Sequence, residues 1–283
     1  MMMRSYSSGA SRLARLASAI ALAAIGSAAL AQAPVQGLYL DQNLQAAYNP
    51  LGAQLGTKFF YRAPLNLGEG VLWEPTRIDV GIKNSLSPAF DMVGLYVDIL
   101  PIAVFDLALS VQAIGFFDAF GFGFRELSGY GAEFGEEALE AIPDGNALGL
   151  MIQASPTFQI AFGPFAFMDT LNVNYFAVDD GEGYFHDVVG GAVLKKKDIE
   201  LYNDAYAMYT FEFGLLVGLN DSILYVPGSE YMSHCLQAVG VYTRDLSEKL
   251  SLYAAITAGA WLEDKYFKGM PRVAGQVGIT ARL

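Results

Sequence analysis

The 283-residue chain carries 17 basic and 29 acidic side chains, a net charge of −12, and 53% of its residues are apolar or aromatic. The acidic balance argues against DNA or RNA as a partner, because a phosphate backbone calls for a basic surface. Cys235 is the only cysteine, which excludes an internal disulfide and a cysteine-based zinc site.

The chain opens with a targeting signal. Arg4, Arg12 and Arg15 precede an apolar run from Leu16 to Ala31, which closes on Ala29-Leu30-Ala31 before Gln32. A basic region, an apolar core and an A-x-A site predict a secretory signal peptide over 1–31, leaving one domain over 32–283. The alternative is an N-terminal anchor; against it, the run is short and built largely of Ala, Gly and Ser. Without the three arginines the mature chain keeps 14 basic against 29 acidic side chains, about −15 net. It has no uninterrupted apolar run of about 20 residues, so membrane-spanning helices are not expected there.

Its apolar content falls instead into short alternating segments. Side chains alternate across a strand with period two, so such a segment has one greasy and one polar face. Strands are predicted near 38–47 and 52–63; in the second, Ala53, Leu55, Phe59 and Tyr61 oppose Gln54, Lys58 and Arg62. Over 76–85, Ile78, Val80 and Ile82 oppose Arg77, Asp79 and Lys83. Strands follow at 89–99 and 102–117, where Phe105, Leu107, Leu109 and Val111 oppose Asp106, Ser110 and Gln112. Two more cover 147–155 and 158–178, with Leu171, Val173 and Tyr175 opposite Asn172 and Asn174. The clearest stretch is Leu201 to Leu219, where Leu201, Ala205, Ala207, Tyr209, Phe211, Phe213, Leu215 and Val217 share one parity. Tyr202, Asp204, Tyr206, Thr210 and Glu212 share the other, and a helical period would scramble the two classes. It is divided near Phe213 into strands 199–211 and 214–225. Strands 233–244, 249–262 and 271–282 complete the set.

Asn49-Pro50, Ser87-Pro88, Pro101, Ser155-Pro156 and Asp245 to Glu248 fall between alternating stretches, where a residue that cannot donate to a ladder belongs. This reading gives twelve strands; ten result from merging 199–211 with 214–225 and dropping the first. With twelve, the long inserts 118–146, 179–198, 226–232 and 263–270 share one face. Phe59, Phe60, Tyr61, Phe116, Phe117, Tyr175, Phe176, Tyr266 and Phe267 cluster near strand ends as interfacial girdles would. Aromatic strand residues of a soluble β-sandwich would look similar.

The final segment favours the first of these. Val273, Val277, Ile279 and Leu283 share one face with Gly275 and Ala281, against Ala274, Gln276, Gly278, Thr280 and Arg282. With the signal peptide and the alternating strands, this terminal amphipathic strand resembles the bacterial outer-membrane β-barrel proteins over the whole mature chain. Leu283 stands where such barrels more often end in an aromatic residue. The resemblance implies an all-β, closed antiparallel transmembrane barrel in the outer membrane, with both termini in the periplasm and hence an even strand count. It implies outer-membrane lipid, lipopolysaccharide and, through the C-terminal strand, the barrel-assembly machinery as partners. No motif matches a named transporter, and no cofactor is expected.

In a barrel the polar parity faces the lumen, which makes Lys58, Arg62, Arg77, Asp79, Lys83, Asp106, Asp204 and Glu212 the pore-lining candidates. In the insert 118–146, a Gly/Phe-rich stretch over 120–124 precedes Glu133, Glu136, Glu137 and Glu140, spaced to share a helical face. The expectation is that this insert folds inward and sets its carboxylates across the pore from Lys58, Arg62, Arg77 and Lys83, forming a constriction for polar solutes. A solvent-exposed outer loop is the alternative.

Catalytic and metal signals are thin. Ser233 and His234 are adjacent and on a strand point to opposite faces, so they cannot pair as nucleophile and base. His186 lies beside Asp187 in a predicted loop, and nothing resembles the phospholipase or lipid A deacylase barrels. Asp179-Asp180-Gly181-Glu182-Gly183 gathers carboxylates on a turn but matches no calcium loop, and Lys195-Lys196-Lys197 reads as a solvated run or a lipopolysaccharide contact. The function expected is a passive channel for small polar solutes. A non-conducting surface-interaction barrel is the second reading, and a membrane-embedded hydrolase the third.

Overall fold

A computed structural model describes residues 34–117, 123–179 and 182–283. The predicted signal peptide, residues 118–122 and Asp180-Gly181 lie outside them. The chain forms fifteen strands and one short helix among the described residues. Twelve strands close into one antiparallel barrel: β1 (Gly37–Tyr48), β2 (Gly52–Pro64), β3 (Arg77–Leu86), β4 (Phe90–Ile102), β5 (Phe105–Phe116), β7 (Ala147–Phe162), β8 (Phe165–Val178), β11 (Lys197–Thr210), β12 (Leu215–Val226), β13 (Tyr231–Ser247), β14 (Leu250–Glu263) and β15 (Pro271–Arg282). Each pairs with its sequence neighbour in the barrel, and β15 closes the ring on β1 from Tyr48↔Val273 to Tyr39↔Arg282. Closure leaves no barrel strand with an unpaired edge. The remaining strands, β6 (Glu126–Leu127), β9 (Tyr184–Asp187) and β10 (Ala192–Lys195), form a small separate sheet; α1 spans Glu136–Glu140.

The alternation expected from the sequence decides which side chains turn outward. On β2, Leu55, Phe59 and Tyr61 are exposed on the outer wall while Gln54 and Phe60 are buried inside. The outer wall is predominantly apolar round the ring, with Leu95, Leu109, Ile152, Leu219, Ile256 and Val277 among its exposed residues. That far exceeds the few hundred Å² of contiguous apolar patch a soluble monomer tolerates, so this wall is built for a bilayer. Tyr61, Phe158, Phe162, Phe165, Phe167, Tyr209 and Phe211 ring it near the end that holds the chain termini, and Tyr48, Tyr175 and Tyr225 near the other. Phe60, Phe116 and Phe176, expected in such a girdle, instead face inward and are buried. They sit on the opposite parity from their exposed neighbours.

Several boundaries differ from expectation. The turn expected at Ser155-Pro156 lies at Gly163-Pro164, and Pro156 sits inside β7 on its outward parity. Gly163, at φ 56°, supplies the left-handed position this tight turn needs. The ladder skips Pro156 between Ala154↔Val173 and Thr157↔Thr170, which accommodates the missing donor. Pro101 likewise lies within β4, at a register shift opposite β5. The inserts 117–146, 179–196, 227–230 and 264–270 emerge at one end, as the strand directions required. At the termini end the turns are short except 65–76.

The two longest inserts fold back over the barrel mouth. β6 pairs with β9 and β9 with β10, so the small sheet joins segments from both. Phe124, Phe185, Val188, Ala192 and Leu194 from these inserts pack with Phe90, Met92, Ile114, Phe116, Met151, Phe176, Tyr202 and Leu224 on the inward parity of the wall. Phe185 and Leu194 are 0% exposed, each contributing roughly 2–3 kcal/mol of burial.

Candidate functional site

The lumen is lined differently along its length. Toward the termini end, β2 to β5 present a charged wall. Arg62 Nε and Nη2 donate to Asp79 Oδ1 and Oδ2 at 2.8 and 2.6 Å, a bidentate pair between neighbouring strands. Arg77 lies 3.5 Å from Asp79, 3.8 Å from Asp98 and 3.5 Å from Asp106. Arg62 and Asp98 each keep 23% of their side chains exposed. Above them Tyr39, Phe60 and Tyr96 pack together, with Lys58 5.7 Å from the Tyr96 ring and Arg62 4.9 Å from the Tyr39 ring. The facing wall is apolar at this level: Met168, Tyr206, Met208, Leu216, Val239 and Val241 form one buried cluster.

Midway along the barrel the lining changes to carboxamides. Lys83 Nζ donates to Gln153 Oε1 at 3.0 Å; Gln153 Nε2 donates to Asn174 Oδ1 at 3.0 Å; Asn174 Nδ2 donates to Glu200 Oε1 at 3.2 Å. This chain of bonds runs from the basic β3 to the acidic β11. Farther round, Asn220 Nδ2 donates to Asp204 Oδ1 at 3.1 Å and stands in register with Gln237, which donates to Thr257 Oγ1 at 2.8 Å. Gln45 is in register with both Gln54 and Gln276. Each amide both donates and accepts, so the belt can exchange hydrogen bonds with neutral or charged polar solutes.

Of the pore-lining candidates, Lys58, Arg62, Arg77, Asp79, Lys83, Asp106 and Asp204 stand on inward parity. Glu212 does not. It is exposed in the β11–β12 turn at Phe211 to Gly214, because the strand ends two residues before it, at Thr210. The constriction built from the insert carboxylates is also corrected. Glu133 is at the rim, accepting from Tyr266 Oη at 2.6 Å and lying 3.1 Å from Lys265 Nζ. Glu137 sits on α1 and Glu140 is exposed; Glu136 opens that helix. The insert does fold inward, but its apolar residues enter the mouth while Glu133, Glu137 and Glu140 stay exposed to water, the cheaper arrangement. Asp79, Asp98 and Asp106 already pair two of the lumen bases, Arg62 and Arg77.

At the rim, the Tyr266 hydroxyl and then Lys265 hold the Glu133 carboxyl below its ordinary range. Partial burial works to lower the Lys265 ammonium, but its bonds to Glu133 and Tyr266 hold it above its usual value. Burial and the bond to Asp198 push the Tyr130 hydroxyl well up. Lys195 Nζ lies 5.3 Å from the Tyr130 ring and Lys196 pairs with Glu126 at 2.6 Å, so this basic run is knitted into the cover. His186 is buried in β9, with its ring 5.7 Å from that of Phe134. His234 stands on the outer wall against Asp221, while the nearby hydroxyls of Ser222 and Ser233 face inward.

Among the described residues no three His, Cys, Asp or Glu side chains gather in a metal-holding arrangement. The sequence reading missed Asp98 and most of the amide belt. Their signal was available: Gln54, Gln112, Asn174 and Gln276 all lie on the polar parity, but only charged residues were taken from it.

No protein-family model and no curated protein sequence matches this chain. Solved structures do match it in fold. The translocator domain of the autotransporter NalP from Neisseria meningitidis is 12% identical over 93% of this chain and 94% of that one, with a TM-score of 0.47. The beta domain of the Bordetella autotransporter BrkA is 9% identical over 88% and 100%, at 0.49. The KdgM porin is 7% identical over 87% and 99%, at 0.41. All three likenesses are distant; the closed antiparallel barrel is established by the strand ladders themselves.

Proposed function

We propose that this protein is an outer-membrane barrel that passes small polar solutes along a charged lumen wall, with its inserts restricting the outer mouth. The observation that supports it is the set on β2 to β5: four cations, Lys58, Arg62, Arg77 and Lys83, interleaved with Asp79, Asp98 and Asp106. The charged wall, and the carboxamides midway along the barrel, give a polar solute replacement partners for its water. The wall carries one more cation than anion, so Arg62→Gln with Arg77→Gln leaves it net negative. In planar bilayers this double variant shifts the reversal potential toward cation selectivity. Folded wild-type protein that neither conducts nor lets solutes into liposomes sinks the proposal.

A specific observation favours a second reading, a closed barrel acting through its rim: the apolar cover packs as a core rather than resting loosely. Conductance that appears only when 123–146 is deleted would select it. The proposal takes the chain to be exported with cleavage before Gln32, to meet lipopolysaccharide at the insert rim, and to be assembled through β15. N-terminal mass analysis of the mature protein checks the cleavage. No catalytic role is assigned; lipid hydrolysis lost on His234→Ala would revive one.

A further inference from the structure

Away from its two rims, where Asp91 and Arg244 also take the outward parity, the bilayer-facing wall has one charged interruption. Asp169 on β8, Asn203 on β11, Asp221 on β12 and His234 on β13 all take the outward parity. Asn203 Nδ2 donates to Asp169 Oδ1 at 2.7 Å, and the His234 ring contacts the Asp221 carboxylate. By contrast, the outward positions of β5, β7 and β14 hold only apolar residues, proline and glycine. The interruption is not at the membrane edge. Asp169 lies between Phe167 and Tyr175 on its strand, Asn203 between Ile199 and Tyr209, and Asp221 between Val217 and Tyr225, all of these flanking residues being exposed.

Hydrocarbon is a poor solvent for these groups. A charge on the lipid face is most costly near the midplane and least near the interfaces. The two internal pairs offset part of that cost, yet 47% of the Asp221 side chain remains uncovered. A lipid tail offers it no donor, and an anionic headgroup would be repelled.

We propose that this wall is covered by a second copy of the chain, docked about a two-fold axis that runs parallel to the barrel between β11 and β12. Such an axis keeps every residue at its own depth in the membrane and is the commonest symmetry of homo-oligomers. Asn203 is in register with Ile223, and Asp221 lies two residues along from it. A strand tilt of about 40° raises β12 by roughly 3 Å relative to β11, while two residues along the strand descend by roughly 5 Å. The amide and the carboxylate therefore stand at nearly the same depth on either side of the axis. Asn203 faces the partner's Asp221, and Asp221 faces the partner's Asn203. One amide proton of Asn203 is held by Asp169; its other contact, to the Thr170 carbonyl, is long at 3.3 Å, so that proton is the one to turn outward. Leu201, Val217 and Leu219 flank the pair with apolar surface.

Oxidative cross-linking in native membranes tests this. Ala205→Cys and Ile223→Cys, beside the axis, should each give a species of twice the chain mass. Leu109→Cys on the apolar wall should give at least tenfold less. Adding Asn203→Leu and Asp221→Leu should cut the Ala205→Cys product at least tenfold while the barrel keeps its heat-modifiable migration. Monomer from both axis variants, equal linking at Leu109, or linking unaffected by the leucine pair would each overturn the proposal. So would preferential linking of Ala205→Cys to Thr57→Cys on the opposite wall, since that contact is not two-fold.

Discussion

Glu133 and its two partners bind the insert to the loop between β14 and β15. Tyr266 Oη donates to Glu133 and accepts from the Phe134 N–H at 2.8 Å, so one hydroxyl fixes both a side chain and a backbone group. A carboxyl held below its ordinary pKa stabilises the folded rim above the unfolded value and loses that as pH falls through the folded value. The raised Lys265 works in the opposite sense: its contribution is full below its ordinary range and is lost as pH rises through the higher folded value. The contact is thus made across neutral pH and released first at the acid end. Hydrogen exchange at Phe134 should accelerate on acidification below the usual carboxylate range, and Glu133→Gln should remove that acid limb.

The elements divide into wall and cover, and the sequence reveals them unequally. Phe185 is 0% exposed at the centre of the cover, so Phe185→Ala should cost the cover about 3–5 kcal/mol. Amides of 184–195 should then exchange faster while the heat-modifiable migration of the barrel persists. The wall was legible because period-two alternation is written locally in each strand: 271–282 and 249–262 stand within a residue of expectation. Pro156 misled because a barrel strand can carry proline where its ladder locally lapses. The cover was not legible, since β6 and β9 are two and four residues long and pair across distant inserts. The charged lumen wall was read from parity alone. Its ion pairs depend on register between strands, which no single segment reveals.

At the scale of the whole molecule, β15 hydrogen-bonds to both β14 and β1, and removing it opens the ring along two ladders. Deletion of 273–283 should abolish assembly, read as loss of both heat-modifiable migration and membrane insertion. Correct insertion of the truncated chain would refute the closed ring as the assembling unit. The cover on the mouth is also constrained by connectivity. It is drawn from two inserts whose four roots, at the ends of β5, β7, β8 and β11, are neighbours on one arc of the rim. Away from that arc it is fastened to the β14–β15 loop by contacts alone, Glu133 with Lys265 and Tyr266 and the Phe134 N–H with the Tyr266 hydroxyl. The cover is thus tethered on one side and latched on the other, and the strength of that latch sets how often the mouth is uncovered.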